Sequence, residues 1–132
     1  EDYAFTISML LDLFDSTYKQ KYLIKAKLLS NKAIKLFYIK EKKIFQKNKI
    51  SNNDLFHKPI DIGDHTISNG NSLMLMNFAR LGMLKEGKEL SESINKYLNL
   101  YKYSMISSLK SLDFFNETLS NKNCNEEGCV ID

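Results

Sequence analysis

The feature that most restricts the fold is the return of apolar residues at helical spacing in five separate segments, in two alternating styles. Tyr3, Ile7, Leu10, Leu11 and Phe14 follow i, i+4, i+7, i+8, i+11. Phe5, Met9 and Leu13 add a second strip, so this first helix reads as buried on more than one side. Asp15-Ser16-Thr17 supplies stop and cap chemistry, and a second helix is expected from about Lys19 to Ile39. It turns Leu23, Ala26, Leu29 or Ser30, Ala33 and Phe37 inward and its lysines outward. A third, Gly70 to Leu84, is capped by Ser68 or Asn69 and is apolar nearly all round, with Gly82 and Gly87 near its end. The fourth, Lys88 to Tyr101, carries one stripe of Leu90, Ile94, Tyr97, Leu98 and Tyr101. The fifth, Tyr103 to Asn116, carries Met105, Ile106, Leu109, Leu112 and Phe115.

The order is inner–outer, long connection, inner–outer, inner, which is a stack of αα-hairpins. No βα alternation competes, so the fold class is all-α. Residues 40–68 hold no convincing helix, and a short β-hairpin is expected around Ile44-Phe45. A connection this long is read as functional. Residues 1–118 are taken as the helical domain and 119–132 as a polar, flexible tail. No apolar run approaches the ~20 residues that span a bilayer, so no membrane is implied. Glu1-Asp2-Tyr3-Ala4-Phe5 has no initiator Met and no signal core, and it reads as the inside of a helix. The remainder of a longer polypeptide is therefore an expected partner.

Lysine outnumbers arginine 18 to 1. Against that bias the single Arg80, the single Pro59 and Gly63, Gly70, Gly82 and Gly87 all fall between residues 58 and 87. Arg cannot be exchanged for Lys where a planar fork of donors is needed, and Pro and Gly set the backbone, so this segment carries the special demands. Residues 19–50 hold eleven Lys against Glu41 alone. Their helical spacing between apolar residues reads as a solvated outer face, and no nucleic-acid module accompanies them.

Three segments resemble one family. They are Glu1-Asp2-Tyr3-Ala4-Phe5 with Leu10-Leu11-Asp12-Leu13; Lys58-Pro59 through Asp64 to Gly70-Asn71-Ser72 and Asn77-Phe78-Ala79-Arg80-Leu81; and Ser111-Leu112-Asp113-Phe114. They are similar to the C-terminal part of thioredoxin-domain proteins of the spermatogenesis-associated type, and Cys124 and Cys129 to a cysteine pair in many tails of that family. The chain departs from the family pattern at Ile60, His65-Thr66 and Ser68-Asn69. The resemblance implies part of a six-hairpin α/α toroid like those of N-acylglucosamine 2-epimerases and several glycosidases. The thioredoxin domain is absent here, so no redox activity is carried over.

In such toroids the pocket lies where the N-termini of the inner helices converge, since free N–H groups and positive dipole ends point there. The ligand-binding candidates are accordingly Asp2, Tyr3, Asp64, Asn69 and Asn71, a set suited to sugar hydroxyls or acid/base work. Each has a plainer reading: Asp2 and Asn69 as helix caps, Asp64 as an ordinary loop acid. Arg80 is a structural candidate, paired with a buried acid. His57 and His65 lack metal-ligand spacing, so no metal and no cofactor is expected. Cys124 and Cys129 lack CxxC spacing and read as free thiols of a reducing cytoplasm, able to form a disulfide on oxidation. Two functions remain open: a carbohydrate-related toroid retaining part of a pocket but not catalytic by itself, or a non-catalytic binding or redox-partner scaffold.

Overall fold

A computed structural model describes residues 1–47, 60, 62–121, 124–125 and 128–129. The expectations placed on His57, Lys58 and Pro59 lie outside the described residues, as do the side chains of Cys124 and Cys129. The described chain is mostly helical: α1 (Asp2–Thr17), α2 (Gln20–Phe37), α3 (Gly70–Leu81), α4 (Leu84–Leu100) and α5 (Ile106–Asn121). Two short antiparallel strand pairs accompany them. Tyr38–Ile39 (β1) pairs with Ile44–Phe45 (β2), and Cys124–Asn125 (β3) with Gly128–Cys129 (β4).

The inner layer is α1, α3 and α5, with α3 in the middle. The outer helix α2 covers α1, and α4 covers α3 and α5. α3 is the most enclosed element because residues on every side of it meet a neighbour: Met74, Leu75, Phe78 and Ala79 are buried, and so are Asn71, Ser72 and Asn77. α1 and α3 run side by side in the same direction. A Cβ on Gly70 would lie 3.5 Å from the Glu1 Cα, Asn77 Nδ2 donates to the Ala4 carbonyl at 2.8 Å, and Arg80 reaches Asp12 and Asp15 further along. The Asn77 Oδ1 has no partner among the described residues, a cost of about 1–3 kcal/mol in a buried place.

Several boundaries differ from the sequence expectation. α1 runs through Asp15-Ser16-Thr17 and stops at Tyr18, which takes a left-handed conformation with φ 54°. Ser16 and Thr17 bond back to the carbonyls of Asp12 and Leu13 and do not cap α2. α2 ends at Phe37, where the backbone passes directly into the hairpin. α3 ends at Leu81 because Gly82 adopts φ 68°. Gly87 is no terminator: it lies in the first turn of α4, where an added Cβ would come within 2.3 Å of the Phe115 ring. A 3-10 turn, Lys102–Ser104, precedes α5, which therefore begins at Ile106.

Burial also departs from the pattern at the two edges. Met9 is 52% exposed and Phe5 38%, so the second strip of α1, where only Leu13 is half-buried, is not a core face among the described residues. On α5, Leu112 and Phe115 are buried with Ser108 and Ser111, as is Met105 just before it, while Leu109, expected in the core, is 49% exposed. Nothing described packs beyond α1 on one side or α5 on the other. The lysines of α2 are exposed as the solvated-face reading has it, with Ile24 and Leu28 exposed among them.

The β1–β2 hairpin fastens the first helix pair to the second. Ile44 is fully buried, Tyr38 donates to Glu89 Oε2 at 3.2 Å, Lys43 pairs with Glu92 at 2.8 Å, and Ser93 Oγ donates to the Lys42 carbonyl at 2.6 Å. No helix among the described residues is long and apolar enough to cross a membrane.

Candidate functional site

The alternation of inner and outer helices brings the N-termini of α1, α3 and α5 to one end. Two different structures are built there.

The first closes α3 against α5. Asn69 is the N-cap of α3: its Oδ1 accepts from Ser72 N at 2.9 Å, as an N-cap amide should. Its Nδ2 donates to Asp64 Oδ1 at 2.9 Å and reaches Ser107 Oγ and Ser108 Oγ at 3.3 Å. Asp64 Oδ1 also accepts from Ser107 Oγ, and Oδ2 accepts from Ser107 N in the first turn of α5 at 2.6 Å. Ser72 Oγ and Ser107 Oγ share a further bond of 2.7 Å. Burial opposes the charge of Asp64, but the donors of Ser107 and Asn69 outweigh it and hold the carboxyl below the usual carboxylate range. Asp64 thus caps one inner helix and ties it to the cap of another.

The second is a cleft of about 360 Å³ at the α1 and α3 N-termini. Glu1, Asp2, Tyr3 and Ala4 line it from α1, Gly70, Asn71 and Met74 from α3, Ala33 and Phe37 from the end of α2, and Phe45, Gln46 and Lys47 from β2 onward. Three of the five expected ligand residues, Asp2, Tyr3 and Asn71, therefore meet, whereas Asp64 and Asn69 belong to the neighbouring polar cluster. Asp2 is the first helical residue and not the cap, a position held by Glu1 without a side-chain cap bond. Tyr3 stacks at a tilt on Phe37, ring centroids 5.4 Å apart. Asn71 uses its amide as a strand would: Oδ1 accepts from Phe45 N at 2.9 Å and Nδ2 donates to the Phe45 carbonyl at 3.1 Å. It is buried and fixes the hairpin to α3.

Arg80 is structural, with one correction. Its Nη2 lies 2.8 Å from both Asp12 Oδ1 and Asp15 Oδ2, but those acids are exposed on α1 and not buried. Among the described residues no three His, Cys, Asp or Glu side chains gather to hold a metal. Sequence reasoning missed Ser107, Ser108 and Gln46. Ser107-Ser108 at the opening of a helix is a capping signal that could have been read; nothing in the pattern marks Gln46.

The sequence matches no protein-family model, no curated protein and no solved structure in comparisons with known proteins.

Proposed function

We propose that this chain is part of an α/α toroid that acts as a non-catalytic binding scaffold, receiving a small polar ligand in the cleft at the N-termini of α1 and α3. The observation that carries the reading is the division of labour among the expected site residues. Asp64, one of the two acids expected at the site, spends both carboxylate oxygens on Ser107 and Asn69, while the cleft itself presents Asp2 and Tyr3 beside aromatic walls. A general acid and its partner carboxylate need access to the same reacting atom, and Asp64 lies outside the lining of that cleft. The inner–outer–inner layering supports the toroid, as does the family resemblance of the three segments. The same resemblance favours a carbohydrate as the ligand, and the reading of Cys124 and Cys129 as free thiols favours a cytoplasmic setting.

The test is a titration of the chain with D-glucose followed through amide NMR signals. The reading predicts shifts at Asp2, Tyr3 and Gly70. Shifts confined to Asp64 and Ser107, or none at any concentration, refute it.

A further inference from the structure

The two outer helices of this molecule face solvent in different ways. On α4 the exposed positions from Lys85 to Asn99 are all polar: Lys85, Lys88, Glu92, Asn95, Lys96 and Asn99. Its three lysines are matched by Glu86, Glu89 and Glu92, so both signs are mixed along the helix. This is how a solvated face is built. On α2 the five lysines, Lys21, Lys25, Lys27, Lys32 and Lys35, share the helix with no acid at all. Ile24 and Leu28, one turn apart, are 59% and 63% exposed. They lie opposite Ala26, Ser30 and Ala33, the buried positions of the helix, and so occupy the middle of its outward face. Lys21, Lys25 and Lys32 flank them on one side and Lys27 on the other. A solvated face carries its charges at the centre; this one carries aliphatic side chains there and charges at the borders. Of the acids on α1, against which α2 packs, Asp12 and Asp15 are engaged by Arg80 of α3.

We propose that the outward face of α2 is a contact surface for an anionic lipid bilayer, with the helix lying in the plane of the interface. The proposal is independent of the cleft, and lying on a bilayer needs no spanning run. Ile24 and Leu28 enter between the headgroups and leave water, while the flanking lysines place their ammonium groups at lipid phosphates and carboxylates. Two inserted side chains are few, so charge attraction dominates and the contact is reversible and sensitive to salt. Other polyanions match this face less well. A nucleic acid would set its phosphates where the aliphatic side chains stand, and α2 holds no arginine, while its aromatic residues Tyr22 and Phe37 are half-buried and not free for stacking. Protein interfaces favour arginine and aromatic anchors and deplete lysine, the reverse of what α2 exposes.

The test is co-sedimentation of the whole chain with vesicles of phosphatidylcholine alone and with about 30% phosphatidylserine, at low salt and at about 1 M salt. Binding is expected to the anionic vesicles only, with release at high salt. Ile24→Gln with Leu28→Gln should weaken it about tenfold, and Lys25→Gln with Lys32→Gln about thirtyfold, with far-UV circular dichroism unchanged. Should the first pair lose helix, Leu28→Gln alone carries the comparison. Lys88→Gln with Lys96→Gln, on α4, alters the net charge equally and should leave binding as it is. No binding to phosphatidylserine vesicles at low salt overturns the proposal. An equal loss from the α4 pair overturns it too, because net charge and not the α2 face would then be responsible. Salt-sensitive binding that ignores Ile24 and Leu28, and that is tighter to duplex DNA than to the vesicles, overturns the lipid in favour of a nucleic acid.

Discussion

Replacing the Asp64 carboxylate by an amide removes the charge and turns one of its two acceptor oxygens into a donor, so that either Ser107 N or the pair Ser107 Oγ and Asn69 Nδ2 loses its acceptor. Asp64→Asn should lower stability by about 1–3 kcal/mol at neutral pH, the range for hydrogen bonds to a charged group. The pH dependence has a definite sign. The folded pKa lies below the ordinary 3.8, so the carboxylate's contribution is fully present above 3.8 and is lost as pH falls through the folded value. Urea unfolding at pH 7, 5 and 3 should therefore give a constant gap between wild type and Asp64→Asn at the two higher values and a smaller gap at the lowest. A gap that widens on acidification would contradict the assignment. At this scale the sequence revealed which residues matter but not what they bond. Asp64, Asn69, Asn71 and Arg80 stood out by type and place, yet Asn71 meets Phe45 from 26 residues away, and Asp64 meets Ser107 from 43. Such partners are set by packing, which no local pattern encodes.

Elements were legible where local chemistry decides them and illegible where a distant side chain does. The bodies of all five helices follow from apolar spacing, and Asn69 from its cap chemistry. Gly82 and Gly87 looked alike as terminators, but only Gly82 adopts a positive φ. Gly87 is required by the Phe115 ring of α5, which leaves no room for a methyl group. In an open helix Gly→Ala gains up to about 1 kcal/mol. Here Gly87→Ala should instead cost about 1–3 kcal/mol through overpacking, and Phe115→Leu in the same chain should return part of that loss. Denaturant unfolding of the two single variants and the double variant checks this. A stabilised Gly87→Ala would mean that α4 and α5 are not in contact there. Leu109 failed for a related reason: its spacing matches a core face, but α5 is the edge of the layer.

For the molecule as a whole, the alternation of all-round and one-sided helices was enough to predict inner and outer layers, while the gathering of inner-helix N-termini at one end was an expectation of the toroid resemblance. Exposure at the edges was beyond the reach of that alternation, because Phe5 and Met9 on α1 carry the same pattern whether or not a neighbour covers them. The shared end is what places both the Asp64 cluster and the cleft lined by Asp2 and Tyr3, so the parallel alignment of α1 and α3 is the central claim. Glu1 and Gly70 lie close enough for a Gly70 Cβ to sit 3.5 Å from the Glu1 Cα, within reach of disulfide geometry. The direct test is a chain with Cys124→Ser and Cys129→Ser carrying Glu1→Cys and Gly70→Cys, oxidised and examined by mass spectrometry after proteolysis. A second chain carries Glu1→Cys and Leu81→Cys in its place. Cross-linking in the first and none in the second is predicted; cross-linking only in the second would show the helices antiparallel and contradict the account.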